Sequence, residues 1–420
     1  MKSLKLIDRY RDCAQDSEVL SVSRLKEGAF TRKRKGGMCF SQALSFLLDL
    51  RKTTIQTRLN LFCEREEGGK PIKQPSFTKL RAGFDHTPFK IMVRRGVQEE
   101  YSGEYELPTW RGYNVFATDG SCLQLPQEAA VIKEFGVRGG KDKNGRQRAG
   151  AGISVLYDLL HGWVLDAEID RANRSEREAL GRHIDFLTNE LPHIAENALV
   201  LLDRGYPSQE IFALLAAQGI HFCVRCTNDF TTEIRDAPMG DSMVALKSGQ
   251  LVRIVKFVLK SGTVETLATN LFDLPEADFP LLYAMRWGVE TLYHTLKKKV
   301  CVEKFSGKTP NSIRQDFWAS MALLNVAATF QKEADDAVAK RHEGKQLKHS
   351  YRARNSDLII TLRDRFIFAS LCGRPAITQR EYDNIMRQLA SVVSPVRPDR
   401  SFPRVKKPFA VANLNLKSVL

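Results

Sequence analysis

Ala198-Leu199-Val200-Leu201-Leu202-Asp203-Arg204-Gly205-Tyr206-Pro207 is the stretch that decides the fold. Its five consecutive apolar residues read as a strand buried on both faces, and the strand stops at Asp203. Pro207 then opens a helix over 207–217, with proline in the first turn. A second short strand, 115–118, stops in the same way at Asp119, before Gly120-Ser121. Between the two, 153–157 and 163–169 read as a hairpin around His161-Gly162. Residues 175–187 fit a helix capped by Ser175. Residues 220–224 form a further strand. The order β, β, β, α, β, α, β predicts an α/β fold, a mixed sheet with helices packed on it.

Asp-Gly is a common turn, and an acid before a helix is a common cap, so neither aspartate says much alone. Two acids at the ends of two buried strands say more. If the strands are neighbours, both carboxylates emerge on one rim. Like charge gathered there calls for a cation. Mg²⁺ suits a few carboxylates with water and phosphate completing its octahedron, and two such ions can clamp the attacking and leaving oxygens of a phosphodiester.

A third acid lies in the apolar-periodic stretch 281–300, read as one long helix. At about 100° per residue, Arg286, Glu290 and Lys297 fall at about 300°, 340° and 320° from Tyr283, one polar face. Arg and Lys there can hold phosphates while Glu completes a metal site. An i,i+4 surface pair of Arg286 with Glu290 is the plainer alternative. Trp287 reads as a packing residue at the edge of that face.

Charge is unevenly distributed. Residues 1–100 carry 21 Lys+Arg against 12 Asp+Glu, residues 101–330 carry 25 against 28, and residues 331–420 carry 18 against 9. Basic ends suit a polyanion and an acidic centre suits divalent metal, although solubility alone also explains net charge. Five regions follow. Residues 1–100 are helical and basic, with helices at 40–50 and from Pro75-Ser76, Ser76 as cap. Residues 101–226 and 273–330 are the two parts of the core, the latter with a further helix at 313–330. Residues 227–272 are a β-rich insertion with strands at 251–259 and 264–268. Residues 331–420 are a basic end, helical at 358–368 and 382–389 and loosely ordered at 395–408. The run Arg32-Lys33-Arg34-Lys35 is a phosphate contact or a solvated loop. Cys223 and Cys226 would point in opposite senses from a strand, which favours core cysteines over a metal or redox pair. No apolar run is long enough for a bilayer, and the first residues lead into charge, so a cytoplasmic protein is expected.

The spacing Tyr283-x2-Arg286-x3-Glu290-x6-Lys297 resembles the YREK signature of bacterial insertion-sequence DDE transposases, the group named for insertion sequence four. The segments 117–121, 201–206 and 267–271 look like that family too, as do Phe30-x-Arg32 and the stretch 77–81, so the resemblance covers about residues 30–325. It implies an RNase H-like core interrupted by the β-rich insertion. It implies two Mg²⁺ ions, with Mn²⁺ as an alternative, held by Asp119, Asp203 and Glu290, with Asp119 bridging. Tyr283, Arg286 and Lys297 would grip DNA. Water would first nick the element end, and the freed 3′-hydroxyl would then attack the opposite strand or target DNA. The partners implied are double-stranded DNA, as terminal inverted repeats and target, and a second copy of the chain on paired ends. Relatives that form hairpins stack a flipped base on an insertion-domain Trp. None occurs here between Asp203 and Arg286, where Phe222, Phe230 or Phe257 could substitute. A stand-alone nuclease on the same core and a transposase-derived repressor are the competing readings.

Overall fold

The computed structural model describes residues 2–30, 37–65, 71–102, 106–139, 147–227, 229–363 and 375–396. The basic run 32–35, Gly68 and Gly69, the end of the patch 358–368 and the tail beyond 396 lie outside the described residues. Two compact units divide the chain. One takes residues 97–123 and 135–294, the other 1–96, 124–134 and 295–420.

The first unit is built on β1 (Asn114–Gln124), β2 (Val137–Arg138), β3 (Arg148–Asp158), β4 (Val164–Arg171), β5 (Ala198–Leu202), β6 (His221–Arg225), β7 (Gly240–Ala245), β8 (Leu251–Val258) and β9 (Val264–Thr269). Among the described residues the strands run in the order β2-β3-β1-β5-β6-β9-β8-β7, with β4 on β3. β1–β5 and β5–β6 are parallel, whereas β3–β4, β6–β9, β8–β9 and β7–β8 are antiparallel. The sheet is therefore mixed, and its apolar centre is β5, every residue of which is buried. Helices flank it. Helix Gln209–Ala217 makes the parallel crossover from β5 to β6, its Phe212 stacked on Phe222 at 5.0 Å. Helix Glu176–Glu190 is tied to the hairpin by His183, whose Nδ1 lies 2.9 Å from Asp166 Oδ2 and Nε2 3.0 Å from Ser154 Oγ. All three side chains are buried, and the bonds satisfy most of the polar atoms that burial removes from water.

Several local expectations change. β1 does not stop at residue 118 but continues to Gln124, so Asp119 is inside a strand. Thr118 Oγ1 donates to Val155 O at 2.8 Å, and Leu123 is fully buried. Packing outweighs the turn preference of Asp-Gly. The helix after β5 starts at Gln209, so Pro207 lies before it and not in its first turn; Ser208 is the cap, accepting from Ile211 N at 3.1 Å. In 227–272 a third strand, β7, joins the two expected ones, and β9 pairs with β6, so the β-rich stretch extends the same sheet. The long helix over 281–300 is two helices, Phe279–Met285 and Trp287–Lys298, separated at Arg286. The junction is tightened by i→i−3 bonds, Arg286 N to Tyr283 O and Val289 N to Arg286 O, each 3.1 Å. A Cβ at Gly288 would lie 2.7 Å from Leu159 Cδ2, so a poor helix former stands where another segment presses close.

The second unit is helical, with Lys2–Gln15, Ser17–Ser23, Phe40–Leu48, Ile55–Arg65, Gln74–Arg81 and the 33-residue Pro310–His342. Lys73 holds the cap position of Gln74–Arg81, so Ser76 lies inside that helix. Phe46 packs edge-on against Phe77 at 4.5 Å and Phe62 at 5.9 Å. Buried Arg81 donates to Gln315 Oε1 at 2.6 Å and to Ser306 Oγ, Ser312 O and Asp316 Oδ1, each at 2.8 Å. Toward the C-terminus, helices Asn355–Thr361 and Pro375–Ser391 accompany a two-stranded ribbon, Tyr351–Ala353 with Val393–Pro395. Among the described residues no helix is long and apolar enough to cross a membrane.

Candidate active site

β1 and β5 pair at a constant offset, from Asn114 opposite Ala198 to Ala117 opposite Leu201. Two residues further, the same offset brings Asp119 level with Asp203. Asp203 follows the last residue of β5, and its charge acts on Asp119, so the two acids lie near each other at one end of the sheet. Each accepts a nearby backbone N–H: Gly120 N to Asp119 Oδ1 and Gly205 N to Asp203 Oδ1, both 2.8 Å. Burial and the charge of Asp203 push the Asp119 carboxyl up to about 6, against the pull of Arg286 and the Gly120 N–H.

The helical junction brings a cation to these acids. Arg286 Nη2 donates to Glu290 Oε1 at 2.7 Å, and Nη1 lies 3.6 Å from Asp119 Oδ2. One guanidinium thus links the third acid to the first. Nη1 is buried and makes no hydrogen bond. Its guanidinium carbon stands 5.8 Å from the centre of the Tyr283 ring. The Tyr283 hydroxyl donates to Leu202 O at 3.3 Å, next to Asp203. Tyr293 donates to Asp119 O at 2.5 Å from the following helix. Tyr283, Arg286 and Glu290 are therefore gathered at the two aspartates, although the continuous-helix wheel does not hold. Lys297 lies on the same helix as Glu290, in the stretch that belongs to the helical unit. Trp287 is 60% exposed and therefore not a packing residue. Phe222 is fully buried, whereas Phe230 and Phe257 are half-buried.

Two neighbours were not singled out from the sequence. Glu176, first residue of its helix, reaches over Gly120: a Cβ there would lie 1.9 Å from Glu176 Oε1. Burial and Asp203 raise its carboxyl. Tyr206 is fully buried, and its hydroxyl has no hydrogen-bond partner. Burial, then Glu176, Tyr293, Asp119 and Asp203, holds its phenol well above the usual range. Cys223 and Cys226 are buried, and burial pushes the Cys226 thiol up to about 12, as expected of core cysteines.

The donor set suits a hard divalent cation. It is all oxygen and it concentrates like charge. Among the described residues no three His, Cys, Asp or Glu side chains converge in a ligating arrangement, and the Arg286 guanidinium stands between Glu290 and Asp119.

Residues 110–326 match the family model described as the transposase DDE domain. A curated Escherichia coli (strain K12) protein described as "Putative transposase InsZ" is 22% identical over 167 residues, 40% of this chain and 54% of that protein. The match thus spans about half the length of the relative. Among solved structures, a piggyBac transposase in a synaptic complex with hairpin DNA is 12% identical with a TM-score of 0.48, covering 93% of this chain and 86% of that one. The family match takes in all three acids and more than half of the 420 residues, and the chain belongs to the transposase DDE domain family.

Proposed function

We propose that this chain is a DNA transposase that cuts the ends of an insertion element and joins the freed 3′-hydroxyl to target DNA. The core would be RNase H-like, and Asp119, Asp203 and Glu290 would be the catalytic acids. The observation that carries the reading is that parallel strands β1 and β5 lead to Asp119 and Asp203, whose charges act on each other, with Arg286 linking Asp119 to Glu290.

These three acids would hold Mg²⁺, as two ions with Mn²⁺ as an alternative. When bound, the metal supplies charge neutralisation at the phosphodiester and a more acidic water. The chain's own groups do the rest. Ionised Asp119 and Asp203 repel each other until cations occupy the site. Glu290 orients Arg286 through one guanidinium nitrogen. The other, Nη1, is buried and lacks a hydrogen bond, and it is the donor for a non-bridging phosphate oxygen. Tyr283, tied to Leu202 O, fixes the loop that carries Asp203. Lys297 and the basic ends of the chain would hold the DNA backbone, in a dimer on paired ends.

The test is strand cleavage on DNA flanking this gene, comparing wild type with Glu290→Ala in Mg²⁺ and in EDTA. Cuts at defined positions, lost in the variant and in EDTA while binding persists, are expected. Binding without any cut would replace the reading with a repressor, and indiscriminate degradation would replace it with a nuclease.

A further inference from the structure

We propose that the helical unit binds a phosphate group in the cleft lined by residues 50–53, Arg58 and residues 304–306, with Arg58 and Lys52 as its cationic ligands.

The cleft measures about 380 Å³ and opens to solvent. Four cations, Arg51, Lys52, Arg58 and Lys304, line it against one acid, Asp316. The acids at hand are already engaged. Asp316 accepts from Arg81 Nη2 at 2.8 Å and from Ser306 N at 2.6 Å. Asp49 accepts from Arg51 Nε at 2.8 Å and Nη2 at 2.6 Å. Lys52 Nζ is left with a carbonyl, Lys304 O, at 3.4 Å. Two cations of the cleft, Lys52 and Arg58, thus lack a carboxylate of their own among the described residues.

Arg58 is the group that points to a ligand. It is 2% exposed. Its Nη2 donates to Phe46 O at 2.7 Å, and its guanidinium carbon stands 4.6 Å from the centre of the Phe46 ring. Its Nε is buried and has no hydrogen-bond partner. Buried cations are ordinarily both paired and hydrogen-bonded. A ring face and one carbonyl account for where the guanidinium lies. They do not account for its unmatched charge or its unused donor. Lys52 shares the imbalance. Burial pushes its ammonium down to about 8, Asp316 opposing the shift and Arg58 adding to it. An anion in the cleft supplies the charge that both side chains lack.

The donor types select the anion. A planar guanidinium beside a point-charge ammonium suits the oxygens of a phosphate. Residues 50–53 also lead into the N-terminal end of helix Ile55–Arg65, where the helix dipole favours negative charge. Free phosphate and the backbone of a DNA strand offer this same group.

The experiment is melting of the full chain in inorganic phosphate, with ionic strength held constant by chloride. It compares wild type, Lys52→Met, Lys52→Gln and, as control, Lys332→Met, an exposed lysine paired with Asp336. Circular dichroism without phosphate verifies that each variant is folded. At phosphate tenfold above its Kd, wild type and the control are expected to melt about 3–6 °C higher than in chloride. Both Lys52 variants are expected to lose most of that rise. No rise in wild type, or the full rise in a folded Lys52 variant, would overturn the site. Duplex DNA binding across a salt series then distinguishes the source. A slope shallower by about one counterion in Lys52→Met, with phosphate competing in wild type, assigns the site to the DNA backbone. An unchanged slope assigns it to free phosphate. The melting readout needs no DNA, so it is separate from the outcome of the cleavage assay.

Discussion

Replacing Asp119 by Asn should stabilise the metal-free protein. Burial and the neighbouring Asp203 raise the Asp119 carboxyl from 3.8 to about 6. A displacement of that size means that the ionised carboxylate costs the folded state about 3 kcal/mol at pH 8. The side chain is 18% exposed, so solvent screening is modest. Asn keeps an oxygen for the Gly120 N–H but gives up the attraction of Arg286 at 3.6 Å. The expected net gain is about 2 kcal/mol, a rise in Tm of about 4–8 °C for a unit of this size. The sign follows from the raised value. Below 3.8 both states are protonated and nothing is gained, the gain grows through the interval, and it is full above about 6. At pH 5 it should be about half of its value at pH 8. The assay is urea unfolding in EDTA at both pH values, followed by fluorescence of Trp163, which is buried in the same unit. Mg²⁺ should then narrow the gap by stabilising wild type alone. An Asn variant no more stable than wild type at pH 8 would refute the claim that the two aspartates are held in mutual repulsion.

Lys297→Ala should weaken DNA binding and make its salt dependence shallower by about one counterion, read from the slope of log Kd against log salt; an unchanged slope removes Lys297 from the phosphate contacts. Arg81→Ala should cost about 3–5 kcal/mol, measured by denaturant unfolding, because it leaves Asp316 buried without its cation; a loss under about 1 kcal/mol would contradict that network. Arg253 holds the Asp241 carboxyl below its ordinary 3.8 through paired hydrogen bonds. That pair therefore contributes stability above 3.8 and loses it as pH falls through the lowered value, so the acid-induced fall in Tm should be smaller in Asp241→Asn than in wild type.

The parts of the fold that were legible are those where one physical effect dominates. Five apolar residues in a row before Asp203 admit little but a buried strand, and Ser175 announces its helix by a cap that the structure contains. Asp119 was legible as an acid following a strand, but the strand's continuation was not. Asp-Gly locally favours a turn, and only pairing across the sheet overrides it. β7 was missed because its residues alternate between half-buried and exposed and carry few strand formers. The break at Arg286 depends on the approach of Leu159 to Gly288, a contact over 129 positions that periodicity cannot register. Glu176 was hidden for a different reason. An acid in a first helical turn is ordinary, and only the bare backbone at Gly120 and Gly205 distinguishes it from Glu178.

Strand transfer tests the account most directly. A labelled DNA end of this element, supplied already nicked to a 3′-hydroxyl, is incubated with plasmid, Mg²⁺ and the protein, alongside Asp119→Asn, Asp203→Asn and Glu290→Gln. The account predicts that wild type joins the label to plasmid and that all three variants bind the end without joining it. Joining by any one of the variants, or degradation by wild type without joining, would contradict it.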